Sequence, residues 1–161
     1  MRWLIMLVAL VGVVASALAW REHYRIGNSP CSINPMWDCG IVNKSTYAVI
    51  GGLFVDTGPD AKPGFLQRKF PAIARIPVAV VGIFGYVLLA IIALKRWWHF
   101  LTAASIFALA FSLYLLHVEK DILGTYCVYC VMSLVTISLI TVLAVIMSIA
   151  QFVRRPKAVQ A

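Results

Sequence analysis

The stretch TYCVYCVMSLVTISLITVLAVIM, residues 125–147, places two cysteines three positions apart and then continues as an apolar run to about residue 153. At about 1.5 Å per residue, a helix over this run is long enough to cross a hydrocarbon core of about 30 Å. The stretch therefore predicts a membrane helix that begins with a cysteine pair. The rest of the chain must explain why the pair stands there.

Three other segments are apolar and long enough to span a membrane, and they lie at residues 3–20, 76–94 and 97–118. The chain has 161 residues, 62% hydrophobic and 12% charged, so a soluble domain of this size would expose much apolar surface to water. We predict an all-α membrane protein, a four-transmembrane-helix bundle with 125–153 as its fourth span. Residues 1–161 would form one domain, with a long first extracytoplasmic loop over residues 21–75.

The first apolar segment has a second interpretation. Met1-Arg2, the apolar run and Ala15-Ser16-Ala17 together resemble a secretory signal peptide, whose cleavage would remove the first span. We favour a retained helix, since the 18 uncharged residues suffice to cross the membrane. Trp3 and Trp20 also bracket the segment, as aromatic residues do at the two membrane interfaces.

The formal net charge of +8 indicates orientation in the membrane and predicts no nucleic-acid partner. The N-terminus, the Lys95-Arg96 turn and residues 154–157 carry basic residues and no acid, which marks the cytoplasmic side. The acidic residues fall in the two other connections and are Glu22, Asp38, Asp56, Asp60, Glu119 and Asp121. We therefore predict that both termini are cytoplasmic and that the two acidic connections face outward.

All four cysteines, Cys31, Cys39, Cys127 and Cys130, fall on the predicted outer side, where an oxidising compartment permits disulfides. Three interpretations without redox activity remain open: two structural bridges, a four-thiolate zinc site, or separate core thiols. The C-x7-C spacing of the first pair is wide for zinc, and two close pairs are unusual for separate thiols. We predict no bound metal.

The C-x2-C spacing of Cys127 and Cys130 favours redox chemistry. In the first turn of a helix, residues i and i+3 share a face and can form a disulfide. The free backbone N–H groups and the helix dipole there stabilise a thiolate, which is the nucleophile in thiol exchange. A purely structural bridge at this spacing would close too short a loop to constrain the unfolded chain much.

A dithiol that cycles between two redox states needs an electron partner on each side. Cys31 and Cys39 lie in the long loop and can exchange with a soluble thiol protein. Cys130 faces the predicted bundle, where a lipid-soluble two-electron acceptor such as a quinone has access. We infer that the pair stands at the membrane because its oxidant is dissolved in the membrane.

This ordered set of features resembles the vitamin K epoxide reductase family, and its bacterial branch in particular. The resemblance runs from about residue 5 to about residue 150. The family of quinone-linked disulfide generators that carries C-x2-C in its first loop fits less well. The matching elements are Cys31, Cys39, Ser45 within KSTYA, IPVAVVGIFGY at the second helix, SLYLLHVE closing the third, and CVYC.

The resemblance implies a role for each matched position. Cys130 would react with the quinone, and Cys127 would be the partner that Cys39 attacks from the loop. Cys31 would exchange with Cys39 and with the outside thiol protein. Ser45 would lie near the loop cysteines and the quinone headgroup, although from the residues alone it is a helix N-cap or turn residue.

Two matched positions depart from the vertebrate pattern. Val78, four residues before Gly82, stands where the vertebrate enzymes have an asparagine, and Leu134 stands where they have a tyrosine. By the resemblance, Val78, Gly82 and Leu134 would contact the quinone. Opening an epoxide calls for a donor to the leaving oxygen, so these departures favour quinone reduction over epoxide reduction.

Three further segments carry expectations. KSTYAVIGGLFV, residues 44–55, predicts a short interfacial helix, broken or bent at Gly51-Gly52, which is either a lid or a simple connection. TGPDAKPG, residues 57–64, predicts an exposed turn. His117 and Glu119, near the outer end of the third helix, are either solvated or act as proton acceptors for the thiols.

We therefore predict a quinone-dependent thiol–disulfide oxidoreductase of the bacterial inner membrane, with its redox site facing the periplasm and supporting disulfide bond formation. Electrons would pass from a thioredoxin-like protein, acting in trans because no fused domain is expected, through the cysteines to ubiquinone or menaquinone as co-substrate. One alternative is reduction of vitamin K or its epoxide by the same relay. Another is a non-catalytic membrane scaffold with structural disulfides, in which replacing a cysteine costs only stability.

Overall fold

The computed structural model describes residues 1–27, 29–53 and 68–154, so the predicted turn TGPDAKPG at 57–64 lies outside the described residues. Two 3-10 turns, Thr46–Ala48 and Ile50–Gly52, lie in the long predicted loop. A π-helical turn, Val118–Leu123, directly follows the helix Trp98–His117. The described residues contain no β-strand, and the all-α prediction is confirmed. The α-helices are α1 (Arg2–Tyr24), α2 (Cys39–Lys44), α3 (Pro71–Ala74), α4 (Val78–Leu94), α5 (Trp98–His117) and α6 (Val128–Arg154).

The helices have the length and composition of a membrane protein. Three stretches are long and apolar enough to cross a membrane, namely Arg2–Tyr24, Trp98–Leu123 and Val128–Val153. Helix α4 is apolar along its whole length. Its 17 residues, at about 1.5 Å each, make it about 25 Å long. Helix α1 continues to Tyr24, past the predicted limit of its span at residue 20.

A close contact between α1 and α4 joins the centre of the bundle. A Cβ atom on Gly12 would lie 2.5 Å from the Tyr86 ring, so the glycine leaves the space that this ring occupies. The Tyr86 hydroxyl donates to the backbone carbonyl of Ser133 on α6 at 2.8 Å, which links three helices. The buried core around this contact includes Ile5, Ala9, Leu89, Leu101, Ile137 and Ile140.

The outer faces of the bundle carry large apolar side chains. Phe84, Phe107 and Phe152 are each exposed over most of their surface. Soluble proteins rarely expose apolar patches of this extent, whereas lipid tails are as apolar as these side chains. The prediction of an integral membrane protein is therefore confirmed.

The loop stretch at residues 44–53 forms the two 3-10 turns in place of one continuous helix, and the short α-helix α2 precedes it. Gly51 and Gly52 serve close packing here. A Cβ atom on Gly51 would lie 2.6 Å from Cβ of Ala74 in α3. Because the backbone N–H of Ile50 also donates to the carbonyl of Ile76 at 3.1 Å, the loop is fastened beside the start of α4.

The π-helical turn after α5 brings an acidic side chain into the protein. Turns of this kind are rare and occur frequently at functional sites. Glu119 lies in the turn and is only 2% exposed. Gly124 ends the turn with a φ of 65°, a left-handed conformation that suits glycine, and the chain reaches Cys127 three residues later.

Candidate active site

The structure brings all four cysteines together at one end of the bundle. Cys31 and Cys39 form a disulfide with their Cα atoms 5.8 Å apart. Cys127 and Cys130 are free thiols, and Cys127 is 0% exposed. Cys31, Cys39 and Cys127 share one buried cluster, against which Cys130 packs. The loop pair and the helix pair are therefore neighbours, although the intervening sequence is long.

Backbone pairing explains how the loop finds the start of α6. The N–H of Asp38 donates to the carbonyl of Tyr126 at 3.1 Å, and the N–H of Tyr126 donates to the carbonyl of Met36 at 2.9 Å. The rings of Trp37 and Tyr126 also stack at a centroid distance of 5.5 Å. Cys39 follows Asp38 in the loop segment, and Cys127 follows Tyr126 in the other segment. This pairing therefore sets the two cysteines side by side.

Asp38 holds the first turn of α2, where Cys39 is the first helical residue. Its Oδ1 accepts from the backbone N–H groups of Gly40 at 2.7 Å and Ile41 at 3.1 Å, which is an N-cap. A hydrogen bond from the Ser32 side chain lowers the pKa of the Asp38 carboxyl, and the Ile41 and Gly40 N–H groups act in the same direction. The cap therefore carries a negative charge at neutral pH.

The helix pair stands at the start of α6 as the C-x2-C spacing predicted. Cys127 immediately precedes the helix, and its carbonyl accepts from the N–H of Val131 at 3.0 Å. Hydrogen bonding from the side chain and the backbone N–H of Cys130 lowers the pKa of the Cys127 thiol, while burial acts in the opposite direction. These donors favour the thiolate form of the Cys127 sulfur, which makes it suited to thiol exchange.

Asn43 connects the two pairs and was not singled out as a site residue from the sequence. Its Nδ2 donates to Sγ of Cys127 at 3.3 Å and to the carbonyl of Cys39 at 2.9 Å. The backbone carbonyl of Asn43 accepts in turn from Nδ1 of His23 on α1 at 2.5 Å. The sequence did contain one indication of this role. Asn43 follows Cys39 by four residues, about one helical turn, so the two side chains share a face of α2.

Glu119 is the acidic group of the site. Its Oε2 accepts from the backbone N–H of Cys127 at 3.0 Å, and Glu119 and Cys130 both line the cavity described below. The other candidate from the same helix end, His117, has a side chain 66% exposed and pairs with Asp121 at 2.6 Å. Of the two proton acceptors considered from the sequence, the structure therefore places Glu119, and not His117, at the thiols.

A cavity of about 340 Å³ extends from Cys130 into the bundle. Ser45, Val78, Gly82 and Leu134, the positions expected near the quinone, all line it. Ser45 itself donates from its hydroxyl to the carbonyl of Val42 at 2.7 Å, which also fits the interpretation as a turn residue. Cys31, Cys39 and Cys127 lie behind this wall, so Cys130 is the cysteine that meets the cavity.

The cavity suits an apolar ring. Ligand pockets commonly enclose about 300–1,000 Å³ with mostly apolar walls and a few polar groups. Here aliphatic and aromatic side chains dominate the wall, and Cys130, Glu119 and Asn43 supply polar groups at one end. These residues fit a quinone ring near the Cys130 sulfur. Across residues 1–27, 29–53 and 68–154, no group of three or more His, Cys, Asp or Glu side chains is arranged to hold a metal ion.

The comparisons with known proteins agree with this architecture. The sequence model of the vitamin K epoxide reductase family matches residues 3–145. A search of curated proteins found no significant match. The matched range includes the four cysteines and all of the cavity positions that were expected to meet a quinone.

Proposed function

Because the chain belongs to the vitamin K epoxide reductase family, whose members are quinone-linked oxidoreductases, we propose that it is a quinone-dependent thiol–disulfide oxidoreductase of the bacterial type. Its electron donor is a thioredoxin-like protein, and its acceptor is ubiquinone or menaquinone in the membrane. Oxidation of the donor supports disulfide bond formation in other proteins.

The observation that carries the proposal is the position of each cysteine. The Cys31–Cys39 disulfide lies in the loop and packs against Cys127, whereas Cys130 lines the apolar cavity. Thiol exchange can therefore pass inward from the loop pair to the helix pair. The last sulfur of the series is the one that meets the cavity.

In the structure, the loop pair is oxidised and the helix pair is reduced. The proposed relay starts from this state and returns to it, and its electrons and protons balance. Cys127 and Cys130 form a disulfide and give two electrons and two protons to the quinone. The thioredoxin-like donor reduces the Cys31–Cys39 disulfide and becomes oxidised. The Cys39 thiolate then attacks Cys127 and releases Cys130, and attack of Cys31 on Cys39 releases Cys127.

We propose that the redox site faces the periplasm of a bacterial inner membrane and that both termini are cytoplasmic. The cysteines, Asp38 and Glu119 lie at the end of the bundle where α1 ends and α6 begins. Arg2 and the Lys95-Arg96 turn belong to the opposite helix ends. Basic residues beside short connections favour the cytoplasm, and an oxidising periplasm permits the Cys31–Cys39 disulfide.

Reduction of vitamin K or its epoxide by the same relay is the alternative reaction. Val78 and Leu134 present aliphatic side chains to the cavity, and neither can donate a hydrogen bond to an epoxide oxygen. Quinone reduction needs such a donor less, so these two positions support a quinone over an epoxide as the acceptor.

Trapping the exchange intermediate tests the relay. In Cys31→Ala, quinone oxidation of the helix pair followed by attack of Cys39 should leave a Cys39–Cys127 disulfide that lacks its resolving thiol Cys31, so only the reverse attack of Cys130 can open it. Protease digestion without reductant, followed by mass spectrometry, should find these two segments linked. Cys39→Ala is the matched control and should show no such link.

Turnover measurements complete the test and separate the relay from a scaffold. Purified enzyme in lipid should oxidise an added thioredoxin-like protein with loss of quinone absorbance, and Cys130→Ala should abolish this reaction. Cysteine variants that lose only thermal stability and form no linked segments would support a scaffold. One bound zinc per chain would support a four-thiolate site and contradict the relay.

A further inference from the structure

We propose that the Glu119 carboxylate is the base that takes the proton of the Cys130 thiol when the helix pair is oxidised. The proposal rests on the proposed function and assigns to one residue the proton transfer that this function requires. Glu119 is a catalytic residue in this scheme because it exchanges a proton directly with the reacting thiol, and both residues line the same cavity.

The geometry holds the carboxylate at the reacting sulfur. Oε2 accepts from the backbone N–H of Cys127 at 3.0 Å, so one side of the carboxylate is fixed to the start of α6. Cys130 lies three residues after Cys127 in the chain, and it lines the same cavity as Glu119. Glu119 is 2% exposed, which separates this pair from bulk water.

Cys130 needs such a base more than Cys127 does. The Cys127 sulfur receives the Nδ2 donor of Asn43 and the backbone N–H of Cys130, which stabilise negative charge on it. Cys130 lines a mostly apolar cavity, and Glu119 is a carboxylate on the wall of that cavity. A thiolate in apolar surroundings is costly, so the proton is best removed as the sulfur reacts.

Protons and electrons balance in this scheme. The S–H bond of Cys130 breaks as an O–H bond forms on Glu119, and the Cys127–Cys130 bond forms as two electrons pass to the quinone. Glu119 then returns its proton to a quinone oxygen in the cavity and is again a carboxylate. The proton of Cys127 leaves to water, and water supplies the second proton of the quinol.

Other titratable side chains face the cavity but are less suited to this transfer. They are His23 on α1, Tyr47 in the loop, Tyr86 on α4 and Tyr129 on α6. Nδ1 of His23 donates to the Asn43 carbonyl, and the Tyr86 hydroxyl donates to Ser133. Phenols release their protons only at high pH, so they are poor bases at neutral pH. Glu119 is bound to the backbone of the segment that carries Cys127 and Cys130, whereas His23 is bound to the loop helix through Asn43.

The test separates a base from a structural hydrogen-bond acceptor. Glu119→Gln keeps an oxygen that can accept from the Cys127 N–H, but it cannot take a proton. We expect single-turnover oxidation of the pre-reduced enzyme by a soluble ubiquinone analogue to slow by about 100-fold, which is the lower range of a general base. Glu119→Asp should restore part of the rate.

A second readout requires no quinone. In a chain whose only thiol is Cys130, made with Cys31→Ser, Cys39→Ser and Cys127→Ser, the rate of alkylation by iodoacetamide reports the thiolate fraction. Removing a negative charge beside the sulfur favours the thiolate, so Glu119→Gln should make alkylation faster while quinone oxidation becomes slower. A purely structural role would not move the two rates in opposite directions.

His117→Gln is the matched control, since His117 is a titratable residue of the same helix end that lies away from the thiols. It should leave both rates unchanged. Oxidation of Glu119→Gln within about threefold of the parent rate, or alkylation that does not become faster, would overturn the proposal. Failure of the proposed function can be told apart from failure of this proposal. If the proposed function is wrong, the parent enzyme itself will not reduce the quinone analogue, and the alkylation comparison will still report on Glu119.

Discussion

The side-chain amide of Asn43 donates to Sγ of Cys127 at 3.3 Å, although the two residues are 84 positions apart in the chain. The same Nδ2 donates to the carbonyl of Cys39. One amide therefore binds both Cys39 and the Cys127 sulfur, which exchange in the proposed relay, and its N–H groups favour negative charge on that sulfur. This contact joins the loop half of the proposed relay to the membrane half.

Replacing Asn43 with Leu should slow exchange between Cys39 and Cys127 about 10- to 100-fold, since hydrogen bonds to charged groups contribute about 1.5–3 kcal/mol. The rate is measured by acid quench and alkylation after adding reduced donor protein to the oxidised enzyme. Lys44→Gln, next to Asn43 but with its ammonium group on the exposed Gly27 carbonyl, is the control and should exchange normally. Equal rates in both variants would show that the amide does not assist the attack.

Removing the cap of α2 should loosen the segment that carries Cys39. Asp38→Ala loses the acceptor for the Gly40 and Ile41 N–H groups and should destabilise α2 by about 1 kcal/mol. Hydrogen exchange at these two amides measures the loss. Unchanged protection of both amides would mean that the backbone pairing with Tyr126 alone holds the helix.

The same cap should depend on pH. Folding lowers the pKa of Asp38, so its stabilising contribution is fully present above the unfolded-state pKa and is lost as the pH falls through the lower folded-state pKa. Protection of the Gly40 amide, corrected for intrinsic exchange, should therefore decrease in strongly acidic solution. Asp38→Asn keeps an acceptor that does not titrate, and its protection should be independent of pH over this range.

Filling the cavity should affect the quinone step alone. Leu134→Trp places a larger ring in a space of about 340 Å³, and we expect the KM for quinone to rise by about tenfold. Exchange between Cys39 and Cys127 should keep its rate, because neither sulfur lines the cavity. If both rates fell together, the substitution would have distorted the whole outer end of the bundle.

Close packing of α1 on α4 gives a prediction about stability. In Gly12→Ala the added Cβ would lie 2.5 Å from the Tyr86 ring, and such overpacking should cost about 1–3 kcal/mol. Gly85→Ala, on α4 with open space around the new Cβ, is the matched control and should be neutral or slightly stabilising. Thermal unfolding in detergent compares them, and equal Tm values would contradict the tight contact.

Local features of the sequence were sufficient for the membrane helices and the redox pair. Each long apolar run corresponds to a helix, because in lipid a spanning chain must satisfy its own backbone hydrogen bonds. The spacing of Cys127 and Cys130 also places them within one helical turn without help from the rest of the fold. Apolar composition was less informative for residues 44–53, where the expected short helix is two 3-10 turns and Gly51 packs on Ala74.

Glu119 and Asn43 could not be assigned in this way. A glutamate two residues after a histidine at a helix end is usually solvated, but here Glu119 lies buried in the π-helical turn while His117 is exposed. Asn43 within VNKS resembles a turn residue until the loop pairs with Tyr126. Asn43 takes its partner from a segment 84 positions away, whereas Glu119 reaches the Cys127 N–H eight residues further on because the turn between them folds back.

By itself the sequence determined that this chain is an apolar bundle with one cysteine pair in its first loop and another at the start of its last helix. The tertiary structure alone decided that Cys39 and Cys127 are neighbours, that Asn43 lies between them, and that Cys130 meets both Glu119 and a cavity. The reason is physical: apolar length and helical spacing act over a few residues. Hydrogen bonds between the loop and the start of α6 form only when the folded helices bring those segments together.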